Sequence, residues 1–497
     1  MYYPAFDTFK EMTRKGNLIP LYKEILADTE TPVSVLMKLR SRQYAFLLES
    51  VEGGEKWGRY TFIGSDPRVI FTVRKDEVVI ENEGKTTRHK HRGDPLKYLR
   101  ELMGGYKPVS VEGCPRFYGG AVGFFGYDMV RYFERLPDRT KDDLAADEAT
   151  FLITDTLMIF DNVRHTVKVV ACAMTGEKDD AEVYKNCTEK IDKMIALLRT
   201  PATKEDDPRE LKKDEAFASN MTPEEFKAMV VKAKDYIVAG DIIQVVLSQR
   251  FHRHNNHDPI DLYRALRYVN PSPYLFFLKL KDSILIGSSP EVMVRLEKGE
   301  LELRPIAGTR KRGKNEQEDR HLSDELLQDP KERAEHVMLV DLGRNDLGRI
   351  ARIGSVQVNQ LMVVERYSHV MHLVSNIQAQ LADGKDAFDV LKATFPAGTL
   401  SGAPKIRAME IIDELEVSRR GPYGGAVGYF SFSGNMDLCI TIRTILLKNG
   451  KMFIQAGAGI VADSDPEAEY QETRNKAAGM IRAISLAASG FEVTNNE

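Results

Sequence analysis

The pattern of hydrophobic and polar positions predicts short strands in the N-terminal part of the chain. Residues 69–73 and 157–160 are apolar runs that end in polar residues, a pattern typical of strands. Residues 201–215 are polar and dense in charge, which predicts a linker. Residues 242–251 then predict a further strand.

Two turn signals indicate that later strands are neighbours along the chain. Residues 283–306 predict strands joined at Lys298-Gly299, and residues 438–461 predict a hairpin that turns at Asn449-Gly450. Asn-Gly readily adopts the positive φ angles of tight hairpin turns. Because neighbouring strands favour antiparallel pairing and no regular alternation of strand and helix occurs, we predict an α+β fold with helices outside antiparallel sheets.

Capping residues mark the predicted helices. Residues 222–225, Thr-Pro-Glu-Glu, combine a capping residue, a proline at the first helical position and a glutamate at the third. Apolar residues follow at helical spacing, and Gly240 is the predicted end. Further helices are predicted over residues 331–342 and 405–415, the second with Ser401 as a capping residue.

Composition and charge exclude several classes of protein. The chain has 497 residues, of which 42% are hydrophobic and 29% charged, enough for a large buried core. A net charge of −4 with interspersed signs lacks the basic surface that nucleic-acid binding needs. We expect neither a signal peptide nor a membrane span. The four cysteines form no Cys-x-x-Cys pair, so free thiols in a cytoplasmic protein are the simplest interpretation.

One hexapeptide occurs twice. Tyr-Gly-Gly-Ala-Val-Gly stands at residues 118–123 and again at 423–428, each time before an aromatic-rich strand. One interpretation is structural, since glycines in strands allow close backbone approach. The other is that only one copy has a role in ligand binding.

Two groups of acidic residues have the spacing of a helix face. Glu332 and Glu335 are three residues apart, and Glu469, Glu472 and Lys476 share a face of the last helix. Carboxylates from two helices would suit a hard cation such as Mg²⁺. Glutamates at this spacing also occur on solvated faces, so spacing alone leaves both interpretations open.

Two further candidates are equally open. His372 lies in an apolar run, where a buried structural histidine and a catalytic base are both possible. Residues 457–459, Gly-Ala-Gly, lack the third glycine of a dinucleotide-binding loop. Their backbone N–H groups would still be accessible to a carboxylate.

Taken together and in order, these segments resemble the motifs of the chorismate-utilising enzymes. The matching segments are residues 305–309, Glu335-His336 with 341–346, residues 398–405, residues 455–459 and residues 472–476. The resemblance is dense over residues 220–490 and thinner before them, where residues 47–50, Leu-Leu-Glu-Ser, carry it.

The resemblance implies a fold and two domains. The family's fold has two large antiparallel β-sheets packed face to face, with helices on the outside. The implied domains are residues 1–215, with a regulatory segment that binds L-tryptophan, and residues 216–490, which bind chorismate and carry catalysis.

Two positions point to the anthranilate synthase branch of this family. Gln244 stands where isochorismate and salicylate synthases have a lysine that activates water, and an amide is no general base. Ala307 stands where many aminodeoxychorismate synthases have a lysine nucleophile. Ammonia needs no such base when it is unprotonated. Aminodeoxychorismate synthase and a non-catalytic subunit that senses chorismate or tryptophan remain the alternatives.

The resemblance also implies residue roles. Mg²⁺ would be held by Glu335 and Glu472, with Glu332 and Glu469 behind them. Glu291 resembles the general acid, and His372 would assist removal of the C2 proton. The remaining implied site residues are Gln244, Thr399 and Lys476 near the chemistry, and Gly308, Thr309, Tyr423, Arg443, Gly457, Ala458 and Gly459 around the substrate.

Regulation and partners are implied in the same way. Glu49 and Ser50, with Pro273, Tyr274 and Leu275 opposite, resemble the tryptophan-binding segments, although many relatives have Met at the position of Leu275. The chain has no convincing Cys–His glutaminase signature. The resemblance implies a glutamine amidotransferase subunit as the partner, in a heterotetramer of two large and two small subunits.

Overall fold

A computed structural model describes residues 1–50, 58–91, 93–176, 179–201, 215–367 and 370–492. Apart from its two end residues, the predicted linker lies outside the described residues. Within the described part of the chain, no helix is both long enough and apolar enough to cross a membrane.

The strands are numbered in chain order. They are β1 Leu18–Leu26, β2 Ala45–Glu49, β3 Tyr60–Ser65, β4 Val69–Arg74, β5 Glu77–Asn82, β6 Lys85–Lys90, β7 Gly120–Phe125, β8 Ala149–Thr154, β9 Thr156–Asp161, β10 Thr166–Met174, β11 Ala218–Ser219, β12 Gln244–His254, β13 Tyr274–Leu280, β14 Ser283–Ser289, β15 Val292–Glu297, β16 Glu300–Leu303, β17 Ile306–Lys311, β18 Gln357–Arg366, β19 Val370–Gln380, β20 Gly402–Ala403, β21 Ala426–Ser431, β22 Met436–Ile440, β23 Thr444–Lys448 and β24 Lys451–Ile460.

The α-helices are numbered in the same way, and one 3-10 helix covers Tyr127–Tyr132. They are α1 Phe6–Met12, α2 Pro32–Lys38, α3 Leu96–Gly104, α4 Asp180–Leu198, α5 Pro223–Val238, α6 Pro259–Val269, α7 Glu316–Gln328, α8 Pro330–Gly348, α9 Ala387–Thr394, α10 Gly398–Ser401, α11 Lys405–Leu415 and α12 Pro466–Ala488.

The strands form two twelve-stranded sheets whose ladders are antiparallel. The first has the order β1-β10-β9-β3-β2-β13-β14-β23-β24-β12-β11, with β20 beside β12. The second has the order β17-β19-β16-β15-β22-β21-β7-β8-β4-β5-β6, with β18 beside β19. Each sheet takes strands from both sides of residue 215, so neither predicted domain holds a whole sheet. The division at residue 215 stays a prediction.

Side chains that alternate between the two faces of each strand form two separate hydrophobic cores, one between the sheets and one under the helices. In β2, Phe46 belongs to the core between the sheets, whereas Leu47 belongs to the core under the helices, because successive side chains point to opposite faces. The inter-sheet core joins both sheets, as in the edge contact of Phe62 on β3 with Tyr429 on β21, whose ring centroids are 5.9 Å apart. The predicted fold class is thus confirmed.

The two copies of the repeated hexapeptide pair with each other. They enter β7 and β21, which are hydrogen-bonded neighbours with Gly123 opposite Gly428. A Cβ at Gly123 would lie 1.9 Å from the carbonyl oxygen of Thr150, and one at Gly428 would lie 2.0 Å from that of Asp437. Close backbone approach therefore requires both glycines.

Most predicted elements are confirmed, with two corrections. Residues 438–461 are not one hairpin: the turn at Asn449-Gly450 joins β23 to β24, but residues 438–440 belong to β22 in the other sheet. Ser401 does not cap α11, because its hydroxyl donates to the carbonyl of Ala397 inside α10. The residue before α11 is Pro404, which makes no side-chain cap.

Candidate active site

A cavity of about 480 Å³ lies where one end of the first sheet meets β17 and β19 of the second sheet and the helices α8, α10 and α12. The predicted site residues that line it are Gln244, Glu291, Gly308, Thr309, Glu332, Glu335, His372, Thr399, Tyr423, Arg443, Gly457, Gly459, Glu469, Glu472 and Lys476. Ala458 is buried on the opposite face of β24, in the core with α5 and α11. Neighbouring strand residues point to opposite faces, so its side chain does not face the cavity.

Glu291 is the predicted acid, and it lines this cavity. It follows β14, and the hydroxyl of Thr399 donates to its Oε1 at 2.9 Å. Burial raises the pKa of Glu291 to about 7, against the opposing effects of Thr399, Arg443 and Lys476. A carboxyl with this pKa is partly protonated at neutral pH and can donate a proton.

Gln244 begins β12 and is almost fully buried. A Cβ at position 459 would lie 2.5 Å from its side-chain nitrogen. Because Gly459 has no side chain, the amide of Gln244 can occupy the space beside it. The cavity has an amide here and Ala307 on the wall, so neither position supplies a base or a nucleophile.

His372 lies at the cavity, half-buried, rather than in the apolar core. Its Nδ1 is 3.0 Å from the carbonyl oxygen of Gly308 and 3.0 Å from the hydroxyl of Thr309. A carbonyl only accepts, so Nδ1 carries the proton of the neutral ring and Nε2 is the basic nitrogen. The buried structural histidine is instead His336, whose Nε2 bonds the hydroxyl of Ser375 at 2.6 Å and whose pKa burial lowers to about 4.

Cationic and hydroxyl groups line the wall opposite α8. Tyr423 lies against Gly457, where a Cβ would stand 2.8 Å from the phenol oxygen. Lys476 donates to the carbonyl of Gly457 at 3.0 Å. Arg443 has a φ of 50°, and such left-handed backbone at a non-glycine residue is typical of functional sites.

Of the two hexapeptide copies, the one with Tyr423 reaches this cavity, while Tyr118 lies in the inter-sheet core.

The four candidate metal ligands meet at this cavity from two helices. Glu332 and Glu335 come from α8, and Glu469 and Glu472 from α12. Burial and the neighbouring carboxylates of Glu332 and Glu472 raise the pKa of Glu335. Burial and Glu472 likewise raise the pKa of Glu469. Like charges thus oppose each other across the two helices.

Two of these carboxylates already have cationic partners. Glu472 is 2.5 Å from Lys476, and Glu332 is 3.2 Å from Arg310. In the part of the chain that the structure describes, no three His, Cys, Asp or Glu side chains stand as a ready group of metal ligands.

A second cavity, of about 60 Å³, gathers the residues predicted to bind tryptophan. Glu49, Ser50, Pro273, Tyr274 and Leu275 all line it, because β2 and β13 pair with Glu49 opposite Leu275. The side chain of Leu275 packs in the core under the helices.

The carboxylate of Glu49 is turned toward α6. It accepts from Arg267 Nε at 2.7 Å and from the hydroxyl of Tyr263. Its charge is therefore already paired on the helix side of the sheet.

Sequence reasoning missed the polar wall of this second cavity. Asp437 accepts from the hydroxyl of Tyr274 at 2.8 Å, from Arg295 Nη2 at 3.0 Å and from Arg116 Nη2 at 3.1 Å. These residues come from segments far apart along the chain, so no local pattern could have found them. In the larger cavity it also missed Lys331, whose position next to Glu332 was a usable signal.

The paired sheets and the acid-bearing cavity define a class of enzyme. The chain belongs to the chorismate binding enzyme family, whose profile matches residues 44–482. Along nearly its whole length it is similar to anthranilate synthase component 1 of Acetivibrio thermocellus, with 48% identity over 493 residues that cover 98% of this chain and 99% of the relative.

Solved structures show the same fold. Anthranilate synthase component I from Streptococcus pneumoniae TIGR4 superposes with a TM-score of 0.75 and 38% identity, over 92% of this chain and 98% of that one. The menaquinone-specific isochorismate synthase MenF of Escherichia coli has a TM-score of 0.69 at 19% identity, over 96% of this chain and 98% of that one. This second likeness concerns the fold alone.

Proposed function

We propose that this chain is the chorismate-converting subunit of an anthranilate synthase that acts in the cytoplasm, in tryptophan biosynthesis. The reaction is an amino-lyase reaction that converts chorismate and ammonia to anthranilate and pyruvate. One observation carries the proposal: a carboxyl with a pKa of about 7 at Glu291 shares a cavity with an amide, not a lysine, at Gln244. The full-length similarity to anthranilate synthase component 1 supports it.

The cationic side chains of the cavity suit the two carboxylates of a dianionic substrate. Arg443 and Tyr423 lie together on one wall, and a guanidinium can hold the enolpyruvyl carboxylate through two parallel hydrogen bonds. Lys476 and Lys331 add positive charge. The glycines at 457 and 459 leave room for the side chains of Tyr423 and Gln244 that face the substrate.

The proton transfers follow from the side chains. Glu291 protonates the departing 4-hydroxyl, and Thr399 then stabilises the carboxylate that remains. Ammonia adds at C2 beside Gln244, whose amide orients it without removing a proton. Nε2 of His372 assists removal of the C2 proton while the enolpyruvyl group leaves as pyruvate.

The acidic residues fit Mg²⁺ by their chemistry. They are hard oxygen donors, and the mutual repulsion that raises the pKa of Glu335 is what a bound cation would relieve. Glu335 and Glu472 would hold the ion, with Glu332 and Glu469 behind them. When bound, Mg²⁺ would supply charge for the ring carboxylate and orient it.

Purified chain, chorismate, Mg²⁺ and ammonium test the proposal directly. Anthranilate fluorescence with an equal amount of pyruvate is the expected result. Mainly 4-amino-4-deoxychorismate would favour the first alternative, aminodeoxychorismate synthase. Binding without turnover would favour a sensing subunit, which the acid and histidine at the cavity argue against.

The second cavity supports feedback inhibition by L-tryptophan. The residues of both predicted segments line it together. Its volume of about 60 Å³ is far below the roughly 300 Å³ at which small-molecule pockets begin. Tryptophan would therefore select a wider arrangement of the sheets, and inhibition follows if that arrangement is inactive. Both carboxylates of this cavity already pair with arginines, Glu49 with Arg267 and Asp437 with Arg295 and Arg116, so the ligand's ammonium would replace one of these partners.

A further inference from the structure

A third, small cavity shares Glu291 and Thr399 with the larger one. Its volume is about 40 Å³, and Asp346 and Thr394 also line it. A water molecule needs about 10–15 Å³ of such volume and two or more polar partners. The cavity can therefore hold water in contact with both carboxyl groups.

Asp346, which lines this cavity, belongs to a buried ion pair. Lys405 Nζ donates to Asp346 Oδ2 at 2.7 Å and to the carbonyl of Thr394 at 3.1 Å. Both side chains are only 9% exposed. Burial raises the pKa of Asp346 and lowers that of Lys405, so moving a proton between them costs less than it would in water.

The Asp346–Lys405 ion pair also lies near charged groups that are partly exposed to solvent. The other charged groups that act on Lys405 are Arg349 and Glu134, which form an ion pair of 3.3 Å with side chains 49% and 26% exposed. On the opposite side, the charged groups that act on Glu291 are Arg443 and Lys476.

In the proposed reaction Glu291 loses one proton in every turnover, while substrate or product fills the larger cavity in front of it. We propose that Asp346 and Lys405 form a proton relay that reloads Glu291 from behind, through water in the small cavity. This inference rests on the proposed role of Glu291.

The relay is balanced. An N–H bond of the Lys405 ammonium breaks, the proton passes through Asp346 and water, and an O–H bond forms on Glu291. Lys405 then takes a proton from solvent on the side of Glu134. The proton released by the amine at C2 leaves through the front cavity, so no net proton is lost.

The test is the double variant Asp346→Asn with Lys405→Met, which leaves no unpaired charge. The full chain is mixed rapidly with saturating chorismate, Mg²⁺ and ammonium, and anthranilate fluorescence is recorded. The experiment is run below the pKa of about 7, so that Glu291 starts protonated and the first turnover should stay within about twofold of the parent. Later turnovers should slow about tenfold or more, as expected for impaired acid catalysis, and D₂O should slow them further.

Two other variants sharpen the result. Lys38→Met removes a buried lysine that pairs with Glu30 far from the cavity and should leave both phases unchanged. Gly343→Ala adds a methyl group to the wall of the small cavity beside Leu303 and Pro305, where the end of the Ile377 side chain must shift, and alanine favours the helix. It keeps the ion pair and should also slow only the later turnovers, so it decides the question if the double variant does not fold.

Equal slowing of the first and later turnovers would overturn the relay and leave only a positioning role. Unchanged steady-state rates in both the double variant and Gly343→Ala would also overturn the relay. A parent chain that makes no anthranilate would instead overturn the proposed function, and the relay with it.

Discussion

At the residue scale, the state of Glu291 sets the pH dependence. Its carboxyl must be protonated to act and its pKa is about 7, so kcat should fall as the pH rises through about 7. Thr399 stabilises the charged form of Glu291. Thr399→Val should therefore move the falling limb of the kcat–pH profile to higher pH. Glu291→Gln should lower kcat by about 10²–10⁴-fold. A limb that stays in place in Thr399→Val would contradict the assignment.

The proposed metal ligands give a second prediction at this scale. Glu335→Ala and Glu472→Ala each remove a carboxylate from the cavity, while alanine keeps the helix. Both should lose most activity and keep their circular dichroism spectrum. Glu467→Ala is the control, since Glu467 lies on α12 but pairs with Lys227 at the surface. Near-native turnover of either variant at limiting Mg²⁺ would show that the metal site is elsewhere.

Ser50 tests the second cavity. Ser50→Phe should fill a space of about 60 Å³ and relieve inhibition by tryptophan, while uninhibited turnover stays near the parent value. The measurement is anthranilate formation against tryptophan concentration. Equal sensitivity in both proteins would place the effector site elsewhere, and an uninhibited parent would show that none exists.

At the element scale, one buried ion pair joins the segments that shape the larger cavity. Arg420 donates to the carbonyls of Val246 on β12 at 2.7 Å and Leu400 on α10 at 2.6 Å. Glu416 pairs with Arg420 at 2.6 Å and accepts from the backbone N–H of Ser248 at 2.8 Å. The pair therefore fixes β12 against α10.

Breaking this pair should destabilise the protein. Glu416→Gln leaves the Arg420 charge buried, so the free energy of unfolding in urea should fall by about 3–5 kcal/mol. Glu410→Gln removes a half-exposed partner of Arg407 on α11 and should cost under about 1 kcal/mol. Similar losses in the two variants would contradict a clamping role for the buried pair.

At the scale of the whole molecule, the remaining question is the source of the ammonia. We predict that the pure chain uses ammonium but not glutamine, and that a glutamine amidotransferase subunit restores glutamine-dependent turnover. The described cysteines are free, and three of the four are buried. Burial raises the pKa of Cys439 and of Cys187, the latter to about 11, which disfavours the thiolate that a glutaminase needs. Glutamine-supported anthranilate formation by the chain alone would contradict this.

The sequence by itself determined the family, the fold class and much of the local structure. The capping box at Thr222, the turn at Asn449-Gly450 and the helix from Lys405 to Leu415 are all present. These signals are local, because caps, turns and periodicity depend on residues a few positions apart. The resemblance also named every polar side chain that lines the larger cavity except Lys331.

Only the tertiary structure decided which neighbours those residues have. It turned Ala458 away from the cavity, paired Glu49 with Arg267, and brought Asp437 to the second cavity. It also decided that His372 and not His336 faces the larger cavity. Pairings between strands hundreds of residues apart set these contacts, and a shift of one residue in register would turn each side chain to the other face. No local pattern contains that information.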